Sequence, residues 1–206
     1  MTGPWQWDAS SRRYRNTDTG RYLSNTQMLG LRDTFSERQA AKVRALSDRV
    51  VNGVTVAEWE RDMRAIIRNS TVDQYVLGRG GRNAMTQADW GRVGRMVREQ
   101  YKYASGFAQD IADGKLSAAQ IAARAQLYMG ATTNAYERGR SASFRGLRLP
   151  AYPADGSQKC KSNCKCSWSI EDLEDRYEAT WTLGAADHCG TCVENAGQWS
   201  PFVQGK

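Results

Sequence analysis

Five cysteines fall between positions 160 and 192 of this 206-residue chain, as Cys160-x3-Cys164-x-Cys166, then 22 residues, then Cys189-x2-Cys192. Thiolate sulfur is a soft donor. A tetrahedral zinc site takes four such ligands, usually as two close pairs, because a tight turn aims both sulfurs of a pair at one point. Cys160/Cys164 or Cys164/Cys166, together with Cys189/Cys192, supply the pairs. The spacing therefore predicts one zinc ion (Zn2+) held by sulfurs drawn from Cys160, Cys164, Cys166, Cys189 and Cys192. Which cysteine is spare stays open at this stage. His188, the single histidine, is an outside candidate, since adjacent His188 and Cys189 cannot easily face one ion. Buried free thiols are the bland alternative. Disulfides fit less well, because five cysteines leave one unpaired and a cytosolic chain keeps its thiols reduced.

Four thiolates fill a tetrahedral ion, whereas catalytic zinc keeps a position open for water or substrate. The zinc is accordingly expected to be structural, and the protein is not expected to be an enzyme. Competing chemistry is thin. Glu171, Asp172, Glu174 and Asp175 form an acidic run that reads as a solvated turn. One histidine leaves no independent Cys/His or Ser/His/Asp site. Gly78-Arg79-Gly80-Gly81-Arg82 lacks the Gly-Lys-Ser/Thr ending and preceding strand of a phosphate loop, and reads as a loop joining helices.

The elements that must position these cysteines come from periodicity and caps. A helix is expected from about Thr26 to Val51, closed by Asn52-Gly53. Three more open on capping boxes, in which a Ser or Thr and a polar residue three positions on satisfy free backbone N–H groups reciprocally. These start at Thr55 with Glu58, at Thr86 with Asp89, and at Ser117 with Gln120, the last running to Phe144 before Gly146. Their Trp, Met and Tyr stripes read as core. After Leu149, Pro150-Ala151-Tyr152-Pro153 cannot continue a helix. Short strands are expected at Cys164 to Trp168 and Tyr177 to Leu183. At the other end, Tyr14-Arg15 and Arg21-Tyr22 flank Asn16-Thr17-Asp18-Thr19-Gly20, a turn between strands.

The expected fold is mainly α: a helical bundle-like body over 26–149, a small C-terminal zinc-bound β/loop module over 150–206, and an N-terminal hairpin arm over 1–25. That arm is too short to bury Trp5, Trp7, Tyr14 and Tyr22 by itself. With Arg15 and Arg21 these are the residue types that dock on partners.

Net charge is +7, unevenly spread. Residues 1–149 hold 24 basic against 14 acidic residues, leaving +10, while residues 150–206 hold 5 against 8, leaving -3. A basic helical body suits packaged DNA or an acidic protein face. The start, Met1 to Asp8, has no signal-peptide layout, and no apolar run nears the ~20 residues of a membrane span. No membrane partner is expected, and the protein should stay where it is made.

Leu149-Pro150-Ala151-Tyr152-Pro153, Cys160-x2-Asn163-Cys164-Lys165-Cys166-x-Trp168, and His188-Cys189-x2-Cys192 with Trp199-Ser200-Pro201 resemble the C-terminal end of phage minor head proteins of the Mu F-like head morphogenesis group. Arg13-Tyr14-Arg15 with Thr19-Gly20-Arg21-Tyr22 resembles the opening of phage structural proteins of this kind. Lys161 stands where many relatives have histidine. The resemblance implies a virion protein made in the host cytoplasm, a minor capsid component of modest copy number at the portal and capsid interior. Its partners would be the portal protein, other capsid proteins and packaged DNA, and its role head morphogenesis or genome delivery. The alternative is a cytosolic zinc-ribbon nucleic-acid-binding protein presenting Lys159, Lys161, Lys165 and Trp168, although the -3 balance of that region opposes it.

Overall fold

A computed structural model of the chain describes residues 5–8, 10–11, 13–161, 164–185 and 187–206; the side chains of Trp7 and Asn25, and all of Asn163, lie outside the described set. The chain is mainly helical, with strands at its N-terminus and a small β region near its C-terminus.

Four long helices form the body: α1 (Asn25–Val51), α2 (Val56–Gly78), α3 (Gln87–Ala112) and α4 (Ala118–Ser141). Each opens on a complete capping box, at Ser24/Gln27, Thr55/Glu58, Thr86/Asp89 and Ser117/Gln120. Left-handed Gly53 and Gly114 follow the ends of α1 and α3. The principal core joins Val43 and Leu46 of α1, Trp59, Met63 and Ile67 of α2, Phe107 of α3, and Ile121 and Tyr128 of α4. Trp59 meets Phe107 edge-on at 4.9 Å between ring centroids.

Helices α2 and α4 cross with their backbones in contact, and two glycines permit it. A Cβ at Gly78 would run into the Tyr136 carbonyl oxygen, and one at Gly139 into the Tyr75 carbonyl oxygen. Beyond the crossing α4 is buried on nearly every side, from Thr132 to Tyr136 and at Glu137 and Gly139. It stops at Ser141, short of the expected Phe144, which joins a different core.

The Asp89 partner in the α3 capping box does more than cap. Its carboxylate accepts hydrogen bonds from Thr86, the Tyr75 hydroxyl at 2.9 Å, Arg79 at 3.1 Å and Arg92 at 2.8 Å. Burial pushes its pKa up, but the Thr86 N–H and hydroxyl, Tyr75 and Arg79 outweigh that and hold it down at about 2.

The N-terminus differs from the hairpin arm expected. Three antiparallel strands form a sheet in the order β1 (Trp5–Asp8), β2 (Arg13–Asn16) and β3 (Tyr22–Leu23). The expected turn at 17–20 joins β2 to β3, while β1 adds a strand that the sequence reading did not anticipate. The sheet packs on the body: Tyr14 is only 3% exposed and stands against Tyr136. A two-stranded hairpin is marginal by itself, whereas a third strand and one buried aromatic secure it. Tyr14 is therefore not available to a partner. Trp5 is half-buried, and Arg15, Arg21 and Tyr22 remain exposed.

The C-terminal sheet also differs in register from the expectation. Its strands are β4 (Ser167–Asp172), β5 (Arg176–Thr182) and β6 (Phe202–Gly205), antiparallel in that order, with α5 (Gly190–Gln198) between β5 and β6. β4 starts after Cys164 and Cys166 rather than containing them, and Glu171 and Asp172 belong to it rather than to a turn. No helix of the described residues is long and apolar enough to cross a membrane.

The glycine crossing gives opposite expectations for two substitutions. Gly139→Ala should cost about 3 kcal/mol or more in urea unfolding, since a backbone carbonyl cannot yield. Gly91→Ala, in an exposed stretch of α3 with open space around it, should stabilise by about 0.5–1 kcal/mol. A tolerated Gly139→Ala would show that the helices do not touch there.

Candidate metal centre

All five cysteines are reduced and gather at one place. Cys160 and Cys164 precede β4, on the irregular stretch that follows Pro150. Cys189 is the N-cap of α5, and Cys192 lies in its first turn, so the short helix presents both sulfurs together. The Cys192 backbone N–H bonds the Cys189 carbonyl at 2.9 Å, closing this turn.

The sulfurs of Cys160, Cys164 and Cys192 lie within 4.8 Å of one another. Cys160 to Cys192 is 3.7 Å, and Cys164 to Cys192 is 3.6 Å. Around a zinc ion with Zn–S bonds of about 2.3 Å, tetrahedral geometry places sulfurs roughly 3.8 Å apart. The donor chemistry and the spacing fit such an ion. Cys189 lies against Cys160 and Cys192, and Cys166 against Cys164 and Cys192, so these two flank the central three. His188 is exposed and outside the group.

Protons are unevenly shared across the cluster. The Cys166 thiol, more than any other group, holds Cys164 down at about 5, helped by the Cys166 and Ala154 N–H groups against burial. Burial opposes ionisation of Cys189, yet the N–H groups of Cys192 and Cys160 and both their thiols hold it at about 7. Burial, with Cys189 beside it, pushes Cys160 up to about 12. Cys166 is pushed up chiefly by Cys164, and Cys192 chiefly by burial. A cation bound among these sulfurs would replace thiol protons, as metal binding to cysteines does generally.

A second core surrounds the sulfurs. Trp168, Trp181 and Trp199 form a triangle with ring centroids 5.3–5.7 Å apart. The Trp168 indole N–H donates to the Ala151 carbonyl at 3.0 Å. Leu147, Leu149, Tyr177 and Ala179 complete the core, with Phe144 and Tyr152 against it. This core thus begins before residue 150. Trp168 is 1% exposed, so it cannot be offered to a nucleic acid; Lys159, Lys161 and Lys165 are exposed.

Glu137 joins this unit to the helices. Its carboxylate, buried on α4, pairs with Arg32 of α1 at 3.3 Å and accepts the Trp168 backbone N–H at 3.3 Å. The neighbouring Arg140 donates to the Trp168 carbonyl. Burial raises the Glu137 pKa, and Arg140, Arg32 and the Trp168 amide oppose the rise. The sequence reading missed this glutamate, because nothing in its helical spacing distinguishes it from a solvated one.

Comparison with protein-family models, with curated proteins and with solved structures gives no match.

Glu137→Ala would leave buried Arg32 paired only with its half-exposed neighbour Asp33 at 2.9 Å and the Trp168 N–H without its acceptor, and should destabilise by about 2–4 kcal/mol. Glu137→Gln, which keeps an acceptor for the Trp168 N–H, should cost less. Chemical denaturation followed by tryptophan fluorescence reads both. Equal losses would mean that the charge contributes nothing.

Proposed function

We propose that the chain is a structural, non-enzymatic protein of a phage head. It would be a minor capsid component at the portal and capsid interior, acting in head morphogenesis or genome delivery, with one structural zinc holding its C-terminal unit. The observation that carries this reading is the convergence of the resembling motifs. Leu149, Tyr152, Cys164, Cys166, Trp168, Cys189, Cys192 and Trp199, scattered over some fifty positions, share a single core. A motif whose members build one compact unit is under a structural demand, and a sulfur-lined centre is the demand that fits.

Within that unit Cys160, Cys164, Cys189 and Cys192 are the proposed ligands. Cys189 and Cys192 are fixed as a pair by the first turn of α5, which completes the group of three. Cys166 then acts from outside, its thiol supporting the Cys164 sulfur. Supporting ligands in this way is the usual task of residues around a metal. In the N-terminal segment, exposed Arg15, Arg21 and Tyr22 would face a portal or capsid neighbour.

Elemental analysis should find one zinc per purified chain, retained in Cys166→Ser and lost in Cys189→Ser. Zinc-free protein carrying disulfides would refute the site. For the assembly role, the chain should co-purify with a phage portal protein and be found by mass spectrometry in finished particles. Particles lacking it at wild-type yield and infectivity would refute the head assignment while leaving the zinc intact.

A further inference from the structure

A cleft of about 660 Å³ opens between α3, the end of α4 and the segment leading to the cysteine unit. Five arginines line it: Arg92 and Arg95 from α3, Arg138 from α4, and Arg145 and Arg148 from the connecting segment. Arg92 and Arg95 are three positions apart on one helix face and so point the same way. Two of the five are anchored by the protein. Arg92 pairs with Asp89 at 2.8 Å, and Arg138 donates to the Asn134 side chain at 2.7 Å and lies over the Tyr152 ring. Arg95, Arg145 and Arg148 make no ion pair with any described carboxylate.

Two carboxylates share the lining, Glu99 and Asp155. Asp155 is already engaged, accepting from the Tyr152 and Ser157 N–H groups and from the Ser157 and Gln158 side chains. The hollow therefore carries surplus positive charge on forked donors, held from three elements. The segment bearing Arg145 and Arg148 is itself tied down. The Tyr177 hydroxyl bonds the Arg145 carbonyl at 2.9 Å, and the Gln204 side chain accepts the Arg148 N–H at 2.8 Å.

We propose that this cleft binds the phosphodiester backbone of a nucleic acid, gripping phosphates without reading bases. Guanidinium forks match phosphate oxygens two at a time, which an ammonium cannot do. A nucleic acid draws its affinity from such cation contacts and from the counterions they displace. An acidic protein would instead need buried aromatic or aliphatic anchors, and the cleft's lining is mainly polar. The inference goes beyond the structural role above and stands on the cleft alone.

The test is fluorescence anisotropy of the full-length protein with one labelled DNA oligonucleotide, as a single strand and as its duplex, across a salt series. Binding to either form is expected. The Arg95→Ala/Arg145→Ala/Arg148→Ala variant should bind at least about 10-fold more weakly, with a salt slope shallower by about 2–3. Arg38→Ala/Arg44→Ala/Arg98→Ala removes the same charge from outside the cleft and should stay within about 3-fold of wild type. If the alanine triple does not fold, judged by circular dichroism, glutamine at the same three positions replaces it. Equal losses in the two triples, or no binding by wild type at low salt, would overturn the proposal. Displacement of the DNA by polyglutamate as readily as by unlabelled DNA would also overturn it, assigning the cleft to an acidic protein. None of these results touches the head assignment, which is read from particles.

Discussion

Five sulfurs packed into one small core are the constraint on which the C-terminal quarter of this protein rests. Thiols so close must share protons or surrender them to a cation, and the protein's own arrangement already divides them. Cys164 and Cys189 are held toward thiolate, while Cys160, Cys166 and Cys192 are held protonated. The core here is a tryptophan triangle, two leucines, a tyrosine, two alanines and the cysteines themselves, edged by Phe144, Tyr152, Ile170, Leu183 and Phe202. A unit of this size is marginal by apolar contact alone, and the metal proposed at the sulfurs would add to its stability.

The helical body supplies the platform. The close crossing of α2 and α4, permitted by Gly78 and Gly139, packs the second half of α4 tightly into the protein. From that stretch Glu137 accepts the Trp168 backbone N–H and Arg140 donates to the Trp168 carbonyl, and Arg32 of α1 balances the buried carboxylate. Such pairing contributes little net stability against an apolar alternative, yet it is severe on any loss of a partner. The same α4 segment carries Arg138 into the basic cleft, so one helix bears both on the cysteine unit and on the charged hollow beside it.

Much of this was legible in the sequence, for reasons that can be named. Capping boxes are local, and the three read at Thr55, Thr86 and Ser117 mark helix starts that α2, α3 and α4 reproduce. The cysteine spacing is local as well, and it pointed to a cluster that the fold assembles from segments some thirty residues apart. What escaped depends on distant partners. Tyr14 looked like a docking residue because nothing in its neighbours reveals Tyr136. Asp89 read only as a cap, and its bonds to Tyr75, Arg79 and Arg92 come from the fold. Short α5 spends five of its nine residues on Gly, Thr, Val and Asn, which are poor helix formers, and its caps are a cysteine and a tryptophan. β6 gains its partner only through the pairing with β5.

The zinc at the sulfurs is the claim that bears most weight, and X-ray absorption at the zinc edge addresses it directly. Protein purified under reducing conditions without added metal should give one zinc per chain. Its first shell should fit four sulfur neighbours at about 2.3 Å, with no nitrogen or oxygen ligand. A shell containing nitrogen or oxygen would contradict the all-thiolate centre, and the absence of zinc from a folded, reduced protein would contradict the account as a whole.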